Sequence, residues 1–260
     1  MTDASPPPSE AEAEAEATRA EASRVALARA ARRSGVTIGL GPPTAGERLL
    51  YGFVRAAMVG WARLWLRLEY HGLEHIPTDR PFILAPVHRS NIDFLLASGC
   101  VRRRQRFLAK DTLWTPGFGR LWSALGAIPV ARGTADREAL RACEAVIAAG
   151  EPLVMFPEGT RQTGPVVQTL FDGPAFVQSR TGAAIVPVGV GGSEKAMPKG
   201  ARAIRPTKVV VVVGEPLEAS TAGGAKARRA ALRTQTATLY DRLQALFDEA
   251  QRRAGTPNRR

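Results

Sequence analysis

A histidine and an aspartate five residues apart, His88 and Asp93, are the first pair in this chain able to move a proton. They bound the run His88-Arg89-Ser90-Asn91-Ile92-Asp93, which follows the apolar stretch 82–87 directly. A strand ending there and a helix starting next would put His88 in the turn, with Asp93 about one helical turn further on. The carboxylate can then hold one imidazole nitrogen and leave the other to accept a proton from a hydroxyl. A helix-capping aspartate beside an incidental histidine has the same spacing. A second polar run, Phe156-Pro157-Glu158-Gly159-Thr160-Arg161, follows the buried stretch 153–156. Gly159 lets backbone come close to a ligand, and Arg161 offers a planar fork for phosphate or carboxylate. The alternative is a turn in which Glu158 and Arg161 pair with each other. No GxSxG occurs, so Ser90 reads as a structural hydroxyl near a helix start rather than a hydrolase nucleophile.

These runs need elements to hold them. From Pro81 onward, short apolar stretches at 82–87, 106–109, 127–131, 153–156, 184–190 and 208–213 alternate with helical patterns at 92–102, 116–125, 135–149 and 173–180. Buried strands separated by helices predict an α/β core over 71–220 with a largely parallel sheet flanked by helices. Ligands collect at strand ends in such sheets, and the polar runs fall there. A C-terminal helix is expected over 221–254, with Leu232, Leu239, Leu243, Leu246 and Phe247 on one side.

The N-terminal part differs. Residues 1–46 read as a disordered tail and linker: three prolines and a Glu/Ala alternation, a short basic stretch, then Gly and Pro. Residues 47–70 read as one amphipathic helix, with Arg48, Arg55, Arg63 and Arg67 on one stripe and Leu50, Val54, Met58, Trp61, Trp65 and Leu68 opposite. That pattern suits a helix lying in a lipid headgroup layer, or one covering a sheet.

Charge and composition narrow the partners. The formal charge is +12, and because residues 1–22 hold six acids and one arginine, the rest carries +17. An anionic partner is implied. Basic residues interleaved with exposed aromatics, which nucleic-acid binding would call for, are not found. The run Arg102-Arg103-Arg104 with Arg106 reads as a solvated or lipid-facing patch. His71 and His75 are four apart, but Gly72 and Pro77 break any helix between them and no third ligand is evident, so no metal is expected. The two cysteines suit a reducing, cytosol-facing setting. No uncharged stretch exceeds 13 residues, too short to span a bilayer.

Taken together, the polar runs resemble the glycerolipid acyltransferase family, most closely its 1-acyl-sn-glycerol-3-phosphate (lysophosphatidate) acyltransferases. Four blocks occur in that family's order over about residues 70–217: His88 to Asp93, the Gly126–Arg132 stretch Gly-Ala-Ile-Pro-Val-Ala-Arg, 156–161 in full, and Ile185-Val186-Pro187-Val188-Gly189. Lys110 sits where the family tends to place a basic residue. Val87 stands where the family often has Asn, and Ala131 where it often has an acid. The His-Arg-Ser run followed by Phe94-Leu95-Leu96 is similar to the glycerol-3-phosphate acyltransferase branch.

The resemblance implies direct acyl transfer from a coenzyme A or acyl-carrier-protein thioester to the hydroxyl of lysophosphatidate, with no cofactor. Glycerol 3-phosphate or another polyol is the alternative acceptor, and a non-catalytic module bound to anionic membranes is the alternative outside enzymes. His88 would be the base and Asp93 its orienting anion. Lys110, Arg132, Glu158, Gly159, Thr160 and Arg161 would hold the acceptor, the basic groups around its phosphate. The setting implied is peripheral, on the cytoplasmic face of the cell membrane.

Overall fold

The computed structural model describes residues 43–110, 114–115, 118–130, 136–220 and 225–259, together with Thr18, Glu21 and Val25. The expected tail and linker lie outside the described residues apart from those three and residues 43–46, and Arg132 lies outside them entirely.

The first long helix, α1 (Ala45–Trp65), starts on a capping box. Thr44 accepts from the Glu47 backbone N–H, and the Glu47 carboxylate accepts from the Thr44 N–H. It ends before the expected Tyr70. Leu66 closes it, Arg67 adopts a left-handed φ of 45°, and Glu69–His71 becomes strand β1. A 3-10 turn, Leu73–His75, leads on to β2 (Phe82–Pro86) and α2 (Asp93–Ser98). Then come β3 (Arg106–Lys110), α3 (Gly119–Ala124), β4 (Ala127–Val130), α4 (Asp136–Ala148) and β5 (Leu153–Val154). The chain finishes with α5 (Gly173–Thr181), β6 (Ala184–Gly191), α6 (Ser193–Ala196), β7 (Val210–Val213) and α7 (Ala225–Arg253).

Among the described residues the strands form one seven-stranded sheet, ordered β1-β7-β6-β2-β5-β3-β4. The pairs from β6 through β4 are parallel, and β7 turns back antiparallel on β6. Strands β2, β6 and β7 are buried along their whole length, which is why they read as unbroken apolar runs. Helix α7 lies along β6 so closely that a Cβ at Gly189 would sit 2.3 Å from the Leu246 carbonyl oxygen, so only glycine fits there.

Helix α1 packs on α2 and α3, and its orientation differs from the expected one. Tyr51, Val59 and Ala62 face inward. Arg55 does not point to a headgroup layer: it donates to the carbonyls of Gly99 and Val101 just beyond α2. Leu49, Phe53 and Leu64 point outward at 77, 72 and 86 % exposure. On a 100° wheel these three share an arc with Ala56, Ala57 and Gly60, all exposed and none charged. Arg48 and Arg63 flank that arc on one side.

The arginine run also differs. Arg106 grips the Glu151 carboxylate with Nε at 2.7 Å and Nη2 at 2.8 Å, and Arg104 reaches the same carboxylate. Arg103 donates to the Pro77 and Arg80 carbonyls. Arg102 is exposed. Two of the four arginines of the expected surface patch, Arg104 and Arg106, are therefore buried structure, since a desolvated guanidinium is retained only where a carboxylate and hydrogen bonds meet it.

Candidate active site

Strands β2 and β5 are neighbours, with Leu84 level with Val154, so the segments leaving their C-terminal ends meet. The first segment carries His88. Its Nδ1 lies 3.3 Å from Asp93 Oδ2, and among the described residues nothing is bonded to Nε2. The same Asp93 oxygen accepts the backbone N–H groups of Arg89 and Ser90. Asp93 thus does both jobs the spacing allowed: it ties the turn together and meets the imidazole. Its side chain is fully buried, whereas His88 keeps 19 % of its side chain open. Ser90 is structural, donating to the Met197 carbonyl at 2.8 Å.

The second segment wraps the first. The Phe156 ring stacks on the His88 imidazole, 4.1 Å between centroids. Gln162 N–H donates to the His88 carbonyl at 2.8 Å. Glu158 does not face an acceptor, as expected of it. It is buried, and its Oε2 accepts the His88 backbone N–H at 2.8 Å. Its Oε1 accepts from Arg89 at 2.8 Å and from the Gln168 N–H at 3.0 Å. With both oxygens committed to protein donors, this carboxylate positions the histidine turn. Gly159 has a left-handed φ of 67°, and the Phe171 ring covers the face where a Cβ would stand, at 2.7 Å. Packing and backbone geometry already require glycine there.

Thr160 is exposed, and its hydroxyl accepts from the Gln162 amide. Arg161 is half-buried in the same loop, and Glu158 is not its partner. Lys110 closes β3, its backbone level with Val130; its side chain lies outside the described residues. His75 meets the Val213 carbonyl and His71 lies beside Glu69, so neither joins the site.

A third carboxylate was not foreseen. Glu194, at the start of α6, is half-buried near Arg89 and Asp93. Burial raises its carboxyl above the ordinary range and the Asp93 anion adds to that, while the Gly164 backbone and Arg89 oppose it.

This is the geometry of a base oriented by a buried anion. The family model described as Acyltransferase matches residues 67–191, which contain both segments. Residues 67–191 form an Acyltransferase-family domain. The chloroplastic 1-acyl-sn-glycerol-3-phosphate acyltransferase of Arabidopsis thaliana is 28 % identical over 176 residues, 62 % of this chain and 49 % of that protein. The epsilon enzyme of that name from Mus musculus is 32 % identical over 103 residues, 36 % of this chain and 28 % of its own. The crystal structure of the lysophosphatidate acyltransferase PlsC from Thermotoga maritima matches with a TM-score of 0.57 and 26 % identity, covering 75 % of this chain and 81 % of that one. The chain spans about half the length of the chloroplastic relatives it matches.

In this acyltransferase domain the residues that sequence reasoning missed are Phe156 and Arg89. Both lie inside runs already singled out. Their signal was a contact between runs about 70 residues apart, which spacing does not encode.

Proposed function

We propose that this chain transfers a fatty acyl group from an acyl thioester to the free hydroxyl of lysophosphatidate, a step of phospholipid synthesis. The observation that carries this reading is His88, held by Asp93 on one nitrogen and by Phe156 on its face, with Nε2 open. Nε2 takes the acceptor's hydroxyl proton as the oxygen attacks the thioester carbonyl. The tetrahedral intermediate collapses with loss of thiolate, which takes up the proton from the imidazolium. Asp93 stabilises that imidazolium and fixes the ring. Arg161, with Lys110 and Arg132, binds the acceptor phosphate.

An apolar cavity of about 230 Å³ between α1, α2, β3 and α3 suits the acyl chain. Its wall begins at Phe94 and Leu95, directly after Asp93, and includes Met58, Phe107 and Trp122. The donor is a coenzyme A or carrier-protein thioester, a co-substrate rather than a cofactor. The uncharged outward face of α1 supports seating on a phospholipid surface. No described helix is long and apolar enough to cross a membrane. Two free, buried cysteines support the cytoplasmic side.

The His-Arg-Ser run favours a second acceptor, glycerol 3-phosphate. Purified protein with labelled acyl thioester and either lysophosphatidate, glycerol 3-phosphate or lysophosphatidylglycerol separates these readings. Labelled phosphatidate is expected. Acylation of glycerol 3-phosphate alone would move the acceptor, and no transfer to any of the three would overturn the enzyme reading.

A further inference from the structure

Among the described residues Arg89 is the largest side chain with no exposure to solvent, and it lies directly beside the candidate base. Its Nη1 donates to Glu158 Oε1 at 2.8 Å and to the His88 carbonyl at 3.3 Å. Its Nη2 donates to the Val166 carbonyl at 3.1 Å. The guanidinium carbon stands 4.8 Å above the ring of Phe247, itself fully buried on α7. One cation therefore touches the histidine turn, the loop carrying Glu158, the segment after that loop and the C-terminal helix. Helix α7 reinforces the arrangement. Gln244 accepts from the Val167 N–H at 2.7 Å and donates to the Pro165 carbonyl, so the segment that Arg89 holds at Val166 is gripped on both sides. Helix α7 lies outside the residues that the family model matches.

A buried charge of this kind is costly unless its partners are placed well, and removing one partner strands the other. Arg89 is not fully satisfied even here, since its Nε is buried without a partner among the described residues. We propose that Arg89, seated on Phe247, is the positioning residue of this site: it registers the His88 turn against the Glu158 loop by holding the His88 carbonyl and the Glu158 carboxylate at once. The role needs a planar fork that reaches two carbonyls and a carboxylate while stacking on a ring, which an ammonium cannot reproduce. It also neutralises Glu158, whose other oxygen accepts the His88 N–H. This inference rests on the reading of His88 as the base.

Among the described residues the charged groups around the turn are Asp93 from α2, Glu158 and Arg161 from the loop after β5, Glu194 from α6 and Arg89 itself. Helix α7 adds Phe247, Gln244 and Asp248, the last an acceptor for the Gln244 amide. Removing the Arg89 charge leaves this set more negative and favours the protonated base, so the acid limb of the kcat profile moves to higher pH. Removing the Glu158 charge moves it to lower pH.

The test is steady-state kinetics across pH on Arg89→Lys, Arg89→Gln, Glu158→Gln and the double Arg89→Gln/Glu158→Gln, with melting curves to fix the folded fraction. Arg89→Gln is expected to lower kcat on the order of 10²-fold through misplacement of the base, with the acceptor KM nearly unchanged. Its acid limb moves up, that of Glu158→Gln moves down, and the double variant returns to the wild-type position while kcat stays low. Arg89→Lys loses kcat with its limb in place. A folded Arg89→Gln with wild-type kcat and profile overturns the proposal. If Arg89→Gln does not fold, wild-type kcat in Arg89→Lys overturns it instead. A wild-type protein that transfers no acyl group would sink the reaction, not the positioning. The His88 imidazole is then followed directly by NMR, and its titration must still move to higher pH in Arg89→Gln, or in Arg89→Lys its ring resonances must shift.

Discussion

The ring of Phe156 lies on the imidazole of His88, 29° from parallel, and so joins the two polar runs at the candidate base. With Asp93 on Nδ1 and Phe156 on its face, the imidazole has one orientation and one open nitrogen. His88→Ala should lower kcat on the order of 10²–10⁴-fold in folded protein. Asp93→Asn should also be severe, because it removes the anion and disturbs the turn that Asp93 ties. Phe156→Leu should cost less than either, since the base is kept and only its support is lost. Turnover assays with circular dichroism check the order, and near-wild-type turnover of folded His88→Ala would remove the mechanism.

Arg161 belongs to the loop around His88, yet the carboxylate three residues before it, Glu158, is committed elsewhere. Its fork is expected on the acceptor phosphate. Arg161→Lys should then raise the KM for lysophosphatidate more than the KM for the thioester. Equal changes in both would assign Arg161 to the fold or to the donor.

The outward face of α1 makes the membrane test sharper than the Trp61 and Trp65 pair would. Trp65 donates its indole N–H to the Ile204 carbonyl at 3.0 Å, so its replacement also loosens the fold. Leu49, Phe53 and Leu64 make no such bond. Replacing all three with Ser should weaken sedimentation with anionic vesicles while leaving the melting temperature close to wild type. Deleting residues 1–22, which carry six acids, should not weaken binding. Unchanged binding by the triple variant would move the contact off this helix.

Glu194 provides a pH signature. Burial, then Asp93, raises its carboxyl in the folded protein. A group raised on folding gives its full stability below the unfolded value, about 4.3, and loses it as pH rises through the folded value. The neutral variant Glu194→Gln escapes that loss. Its melting temperature relative to wild type should therefore climb between pH 4 and pH 7. A difference that stays flat or falls over that range would mean that Glu194 is well solvated.

The elements of the core were legible because their causes are local. Buried parallel strands make unbroken apolar runs such as 184–190, and two of the helical patterns between them, 135–149 and 173–180, fall within a residue of α4 and α5. The candidate site was legible as residue types in order, since each polar run begins at or just after a strand end. Other features depended on partners far along the chain. The helix expected to reach Tyr70 stops at Trp65 because Glu69–His71 pairs with Val210–Val212, an alternative that local helical propensity does not weigh. The arginines at 104 and 106 left the surface because Glu151 meets them across more than 40 residues. Glu158 turned from expected acceptor ligand to clamp for the same reason. The sheet order sets β2 beside β5, so the His88 N–H and the Arg89 guanidinium reach its two oxygens before any substrate could. Sequence by itself determined which groups are present and which strand ends carry them. Which of them are spent on each other was decided by the tertiary structure, because hydrogen bonds and ion pairs are satisfied by proximity in space and the chain alone does not state it.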